Sequence, residues 1–435
     1  MINKQVAAKV ISPSSRLKGI ISPPGDKSIS HRAVMLASLA NGESRIQNFL
    51  QAEDCLSTVQ AFKMMGVRID LSPNSTGSVV VHGKGMKGLL QPKKELYLGN
   101  SGTTMRLLLG ILAGQSFIAS LTGDESLSKR PMKRVTIPLR QMGAKIQGPE
   151  DANFPPLTIK GGELHGIRYT NEIASAQIKS AILLAGLFAE GETQVKETIP
   201  SRDHTERMLT LFGAHFKKKG LLCAVKKTEI LKPQKIDIPG DISSAAFFIV
   251  AALLVLGSDI VVKNVILNPT RTGVLTILEK MGAQLSFENV KQGYEPTGDI
   301  RVRSSKLKGV KITKSMIPSL IDELPILMVA CSLASGRSEI RGAEELRVKE
   351  TDRIKTMCTN LTTLGIEVKE LPDGCIIQGK ESFRGGVVES FKDHRVAMSM
   401  AIAGLRSESE VKIQGSECVA ISSPRFFEDL NSLYH

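Results

Sequence analysis

The sequence predicts an α/β protein of two lobes, each built from three copies of one folding unit. Three observations predict it: a glycine that recurs between helix-like and strand-like segments, a series of helix-length segments apolar on most faces, and a Pro-Gly interruption that parts three copies from three.

The glycine series comes first. A helix-like apolar pattern runs into Gly and then a short alternating strand at Met65-Gly66-Val67-Arg68-Ile69, Met142-Gly143-Ala144-Lys145-Ile146, Phe212-Gly213-Ala214-His215-Phe216, Met281-Gly282-Ala283-Gln284-Leu285 and Leu364-Gly365-Ile366-Glu367-Val368. Gly directly after a helix suits the left-handed position of a helix stop, so each copy reads as helix, cap, strand. A sixth such helix is predicted at Phe426 to Leu433.

The apolar series follows: Ala33 to Ala40, Met105 to Ala113, Ile178 to Ala189, Ala245 to Leu256, Pro325 to Ala334 and Arg395 to Leu405. Helices apolar on most faces are buried on all sides. A basic-Gly-aliphatic series, Lys18-Gly19-Ile20, Lys87-Gly88-Leu89, His165-Gly166-Ile167 and Lys308-Gly309-Val310, reads as a strand leading into the next buried helix. The unit is then strand, buried helix, strand, second helix, Gly, strand. The hinge falls at Asp237-Ile238-Pro239-Gly240-Asp241, where Pro and Gly break the pattern. One lobe is expected to hold residues 1–21 and 241–435, the other 22–240.

A chain of 435 residues can bury real cores, and its 42% hydrophobic and 23% charged residues are ordinary for a globular protein. The net charge of +14 suits nucleic acid, an anionic membrane or small acidic ligands alike. With no Trp and only four Tyr, material for base stacking is scarce, which disfavours nucleic acid. Cys55, Cys223, Cys331, Cys358, Cys375 and Cys418 are scattered and form no zinc motif, so they read as buried thiols in a reducing compartment. Met1 to Lys18 lacks the apolar core of a signal peptide, and no segment reaches about 18 uninterrupted apolar residues, so a cytoplasmic protein without membrane spans is expected.

The six buried helices begin at polar clusters: Asp26-Lys27-Ser28, Asn100-Ser101-Gly102-Thr103, Ser175-Ala176-Gln177, Asp241-Ile242-Ser243-Ser244, Asp322-Glu323 and Asp393-His394-Arg395. Ser, Asn and Asp there also serve as helix caps. Capping does not account for Lys27, Arg32, Arg106, Lys179 and Arg395, because the helix dipole disfavours cations in the first turns. A bound anion would reverse that penalty, taking hydrogen bonds from backbone N–H groups and pairing with Arg. Gly102 fits either a close approach of backbone to ligand or a tight turn. Arg347-Val348-Lys349-Glu350-Thr351-Asp352-Arg353 reads either as a solvated helix start or as a charged site.

Five segments carry a resemblance to a known family: Pro24-Gly25-Asp26-Lys27-Ser28-Ile29-Ser30-His31-Arg32-Ala33, Gly99-Asn100-Ser101-Gly102-Thr103-Thr104-Met105-Arg106, Lys129-Arg130-Pro131-Met132, Arg347 to Arg353, and Asp393-His394-Arg395. In these the chain resembles the 5-enolpyruvylshikimate-3-phosphate synthases over essentially its whole length. The resemblance implies two lobes of three inverted βαβαββ units, an inside-out α/β barrel. It also implies transfer of the enolpyruvyl group of phosphoenolpyruvate to the 5-hydroxyl of shikimate 3-phosphate, with release of phosphate, toward chorismate and the aromatic amino acids. No metal or organic cofactor is implied, the partners are these two small substrates rather than nucleic acid or membrane, and the chain is expected to act as a monomer.

By the same resemblance, shikimate 3-phosphate is held by Lys27, Ser28, Arg32, Ser175, Ala176 through its backbone, Gln177, Ser201, Asp322 and Lys349. Phosphoenolpyruvate is held by Lys27, Gly102, Arg130, Gln177, Arg353 and Arg395. The chemistry needs a base for the hydroxyl, an acid toward the methylene and neutralised phosphate and carboxylate charges. Asp322, Glu350 and Lys27 suit these roles. Ile421 stands where the better-known branch has Lys, Arg202 and His204 where it has Lys and Tyr, and Leu107 where it has Pro, which resembles the family's second class. That class is often weakly inhibited by glyphosate, whereas Gly102 leaves room for the inhibitor. A UDP-N-acetylglucosamine enolpyruvyl transferase is the nearest alternative, but its loop cysteine is missing from Leu121 to Arg134. A basic RNA-binding or RNA-end-processing protein is the alternative of another class, and steeply salt-dependent RNA affinity would mark it.

Overall fold

The computed structural model describes residues 8–72 and 77–434; the first seven residues of the segment read as lacking a signal peptide lie outside the described residues. The chain divides into two compact units, Gly25–Ile238, and Met1–Pro24 together with Pro239–His435. Among the described residues each unit carries three small sheets.

The sheet of Arg168–Asn171, Glu192–Glu197, Leu222–Lys226 and Phe216–Lys219 shows the common plan. Its first two strands are parallel and joined through a buried helix, and the remaining pairs are antiparallel. The sheet of Leu96–Tyr97, Ile118–Thr122, Leu157–Lys160 and Lys145–Gln147 repeats it. That of Lys235–Asp237, Asn41–Gln47, Val79–Lys84 and Arg68–Leu71 has the same pairing pattern, but its parallel outer strand comes from far along the chain rather than from just before the buried helix.

In the other unit, Lys18–Ile21 joins Asp259–Ile266, Thr297–Arg303 and Gln284–Lys291, while Lys311–Ile312 joins Arg337–Ile340, Gly374–Gln378 and Glu367–Leu371. The last sheet is Gly386–Glu389, Val411–Gln414 and Ala8–Ile11. After the helix Phe426–Asn431, the strand that the repeat calls for is thus supplied by the N-terminal segment.

The glycines Gly66, Gly143, Gly213, Gly282 and Gly365 all have positive φ, from 78° to 109°, directly after the second helix of their copy. A residue with Cβ is strained there, so the helix stops and the strand that follows takes its direction from that turn.

The inner helices are Lys27–Leu39, Gly102–Ala113, Ala176–Gly186, Ile242–Leu254, Leu324–Ser332 and His394–Gly404. Five start one to six residues before their apolar run, because their polar first turns are helical as well; Leu324 precedes Pro325 by one. Ile242–Leu254 buries every residue but Ser244. At about 1.5–3 kcal/mol for each large apolar side chain, such helices dominate the core. Phe426 closes against Phe247 and Phe248, with ring centroids 5.8 and 5.5 Å away, and so docks the last helix on this inner one.

The basic-Gly-aliphatic series needs correction. Only Lys18–Ile21 is a strand at the motif itself; after His165-Gly166-Ile167 and Lys308-Gly309-Val310 the strands begin at Arg168 and Lys311, and Lys87-Gly88-Leu89 lies in a turn. Gly166 and Gly309 answer to backbone crowding instead. A Cβ on Gly166 would lie 2.4 Å from the Glu192 carbonyl oxygen, and one on Gly309 2.3 Å from that of Arg337.

The six cysteines are free and buried. Among the described residues no helix is long and apolar enough to cross a membrane.

Candidate active site

Two constellations of polar side chains form at inner-helix starts, one in each unit. In Gly25–Ile238, Asp26 caps its helix by accepting from Ile29 N at 2.9 Å. Lys27, the first helical residue, reaches Asp54 Oδ2 at 2.8 Å. One turn further, Arg32 is 4% exposed and donates to Thr205 Oγ1 at 2.6 Å, Ser180 Oγ at 2.9 Å and the Ser28 carbonyl at 2.8 Å. It therefore ties three helices together while fixing the backbone of Ser28.

Gly102 opens the second inner helix, where Ser101 caps by accepting from Thr104 N at 3.3 Å. A Cβ on Gly102 would lie 3.0 Å from Arg106 Nη1 and 3.4 Å from Arg130 Nη1. Two guanidinium groups thus overhang a helix start, an arrangement suited to an anion. Arg130 is held by the Asn100 carbonyl at 3.2 Å and Ser126 Oγ at 3.1 Å, and Arg106 by Gln177 Oε1 at 2.7 Å. Gln177 in turn donates to Thr103 Oγ1 at 3.0 Å, so Gly102, Arg130 and Gln177 come together around Arg106.

A buried hydroxyl chain supports this start. His31 Nδ1, Thr58 Oγ1, Thr104 Oγ1 and Ser101 Oγ follow one another at 2.7 Å steps. Burial pushes His31 down to about 3, with Lys27 and Arg32 adding to the effect against Asp54, so the ring is neutral. The helix Glu53–Met64 links both arms, since Asp54 meets Lys27 and Thr58, one turn on, meets Thr104.

Lys179 departs from the expectation for a helix-start cation. Its side chain is 0% exposed and meets Glu197 Oε2 and Glu206 Oε1, each at 2.7 Å. A charge enclosed by two carboxylates inside the fold does not face a ligand. Glu197 also accepts a hydrogen bond from Ser201 Oγ.

In the other unit the charged cluster centres on Arg353. It is 1% exposed, and it donates from Nε to Asp393 Oδ2 at 2.8 Å and meets Glu350 Oε2 at 2.6 Å and Asp322 Oδ1 at 3.6 Å. Burial works against its charge, but Asp393, Glu350 and Asp322 hold the guanidinium above its usual range. Asp393 is held below the carboxylate range because Arg353 outweighs its burial. Lys349 Nζ lies 3.7 Å from Asp322 Oδ1, and Arg395 Nη1 donates to the Asp322 carbonyl at 2.9 Å. Residues 347–353 are therefore not a solvated helix start.

Of the six clusters, Asp26, Ser101, Asp241 and Asp393 cap their helices through side chains. Ser175 makes no cap bond, and Asp322 lies in a 3-10 turn, Ile321–Glu323, that also lacks one. Beside it, Glu323 accepts from Ser243 Oγ, which also receives Arg271 Nη2 at 3.1 Å. Arg271, Asp54, Thr58, Glu197 and Thr205 carry no motif of their own, and their part emerges only from the contacts. Ile421, in the 3-10 segment Ser416–Ile421, brings no polar atom.

Repeated units of this kind and two basic, carboxylate-bearing helix-start clusters describe the carboxyvinyl-transferase class of fold. The family model for EPSP synthase (3-phosphoshikimate 1-carboxyvinyltransferase) matches residues 11–430. The 3-phosphoshikimate 1-carboxyvinyltransferase of Bacillus cytotoxicus is 51% identical, covering 96% of this chain and 98% of that one. That of Geobacillus kaustophilus is 52% identical with the same coverage. The structure of EPSP synthase from Acinetobacter baumannii superposes with a TM-score of 0.88 at 47% identity, covering 98% of each chain. The chain belongs to the EPSP synthase family, and neither the sugar-nucleotide enzyme nor an RNA-binding protein is favoured.

Proposed function

We propose that this chain carries out its family's reaction through the two constellations above. It transfers the enolpyruvyl group of phosphoenolpyruvate to the 5-hydroxyl of shikimate 3-phosphate, releases phosphate, and serves chorismate and aromatic amino acid synthesis. The observation that carries the assignment of residues is the Arg353 cluster, where one buried cation gathers Asp322, Glu350 and Asp393 with Lys349 and Arg395 beside them.

Asp322 is the base that takes the hydroxyl proton, and Glu350 the acid that protonates the methylene carbon and takes a proton back from the resulting methyl group as phosphate leaves. Glu350 is paired with Arg353. A substrate carboxylate that draws Arg353 toward itself weakens that pair and makes protonation of Glu350 easier. Lys27 polarises the hydroxyl and the leaving phosphate. Ser28, Arg32, Ser175, the Ala176 backbone, Gln177, Ser201 and Lys349 hold shikimate 3-phosphate, while Gly102, Arg130, Gln177, Arg353 and Arg395 hold phosphoenolpyruvate. Both constellations come from one chain, which supports action as a monomer; the buried thiols support a cytoplasmic setting.

The test is phosphate release from phosphoenolpyruvate with shikimate 3-phosphate or UDP-N-acetylglucosamine as acceptor. Release with shikimate 3-phosphate is expected; release with the sugar nucleotide alone overturns the reading.

A further inference from the structure

Ser201 lies between the strand Glu192–Glu197 and the helix His204–Leu211 and is 4% exposed. Its hydroxyl donates to Glu197 Oε1. The other oxygen, Oε2, accepts from Lys179 Nζ at 2.7 Å, and Lys179 is fixed from its far side by Glu206. Lys179, Glu197 and Glu206 are all within 3% of full burial. Both oxygens of Glu197 are thus occupied by donors, and its position is set from behind.

A serine hydroxyl has one proton, and a phosphate dianion only accepts. Ser201 cannot donate to Glu197 and to a substrate phosphate at once. Turning the proton away while Oγ stays in place would leave two acceptors face to face. Engaging the phosphate therefore requires the Ser201–Glu197 bond to open.

We propose that Glu197, anchored by Lys179, is a positioning residue that holds the Ser201 proton back from the substrate phosphate. Affinity for shikimate 3-phosphate is then set below what the same side chains could reach. The product keeps this phosphate, so the same competition speeds its release. The inference rests on the assignment of Ser201 to shikimate 3-phosphate.

Glu197→Gln inverts the donor pattern without changing shape. The amide oxygen can accept from Lys179 and the amide N–H can donate to Ser201 Oγ, which frees the hydroxyl proton for the phosphate. Glu197→Asp keeps the charge that Lys179 faces but shortens the reach to Ser201. Calorimetric titration of the full chain with shikimate 3-phosphate should show binding about tenfold tighter in both variants, the lower end for one hydrogen bond to a charged group. Ser201→Ala should bind more weakly than the natural chain, and adding Glu197→Gln to it should change nothing further. Thermal unfolding checks that each variant is folded, and Glu197→Asp decides alone if Glu197→Gln is not. If Ser201→Ala leaves affinity unchanged, the Ser201 assignment and the inference fall together. If Ser201→Ala weakens binding but the folded Glu197 variants bind no more tightly, the inference alone is overturned. A purely structural role for Glu197 predicts loss of affinity, never gain.

Discussion

Arg395 donates a hydrogen bond from Nη1 to the backbone carbonyl of Asp322 at 2.9 Å. The turn that carries Asp322 is therefore held by its main chain, while its carboxylate lies 3.7 Å from Lys349 Nζ and 3.6 Å from Arg353 Nη1. That division suits a side chain that has to exchange a proton.

Asp322→Ala should lower kcat by about 10²–10⁴-fold, the usual worth of a positioned general base. The melting temperature should change far less than turnover, since the Arg395 hydrogen bond to the Asp322 carbonyl holds the turn whatever the side chain. Phosphate-release kinetics with a thermal melt check both; turnover within a few-fold of the natural chain would remove Asp322 from the chemistry.

Arg353→Met leaves Asp393 and Glu350 facing a buried apolar group. Loss of one partner in such a cluster costs about 3–5 kcal/mol. Urea unfolding should show a midpoint lowered to match, and an unchanged midpoint would contradict the buried pairing.

Gly102→Ala introduces a methyl 3.0 Å from Arg106 Nη1. The guanidinium end can yield by a few tenths of an ångström, so the fold should persist while the overhanging cations shift. A fall in kcat/KM for phosphoenolpyruvate of about tenfold is expected, well short of the hundredfold a full 1 Å displacement can cause. Steady-state kinetics at fixed shikimate 3-phosphate measure it.

His31 makes stability depend on pH. Its folded value is lowered to about 3 from 6.5, so the unfolded chain binds the extra proton between those limits. The contribution is complete above pH 6.5 and is lost as pH falls toward 3, with a limiting slope of about 1.4 kcal/mol per pH unit. Denaturant unfolding from pH 7 to 5 should weaken accordingly, and His31→Asn should flatten that trend.

The glycine series and the apolar helices were legible because a helix stop and a buried face each leave a local mark. Helix lengths were less so: the apolar run from Ala33 covers little more than half of a helix that begins at the polar cluster, with Lys27 as its first residue. Lys179 misled because position along a helix says nothing about which carboxylates fold over it. Asp54, Thr58 and Arg271 could not be singled out, since each matters only through a partner far along the chain. The polar clusters at helix starts drew attention to the site, but only contacts separated caps such as Asp26 and Ser101 from Ser175 and Asp322, which make no cap bond.

The pairing of Lys18–Ile21 with Asp259–Ile266, and of Lys235–Asp237 with Asn41–Gln47, has a consequence for biosynthesis. On the ribosome, Lys18–Ile21 emerges well before its neighbour, which lies more than two hundred residues downstream. Gly25–Ile238 likewise lacks the outer strand of one sheet until Asp237 has left the exit tunnel. An early-made strand therefore completes a sheet whose other strands are made much later, and nascent chains halted before residue 259 should present an unpaired strand edge to chaperones or to one another.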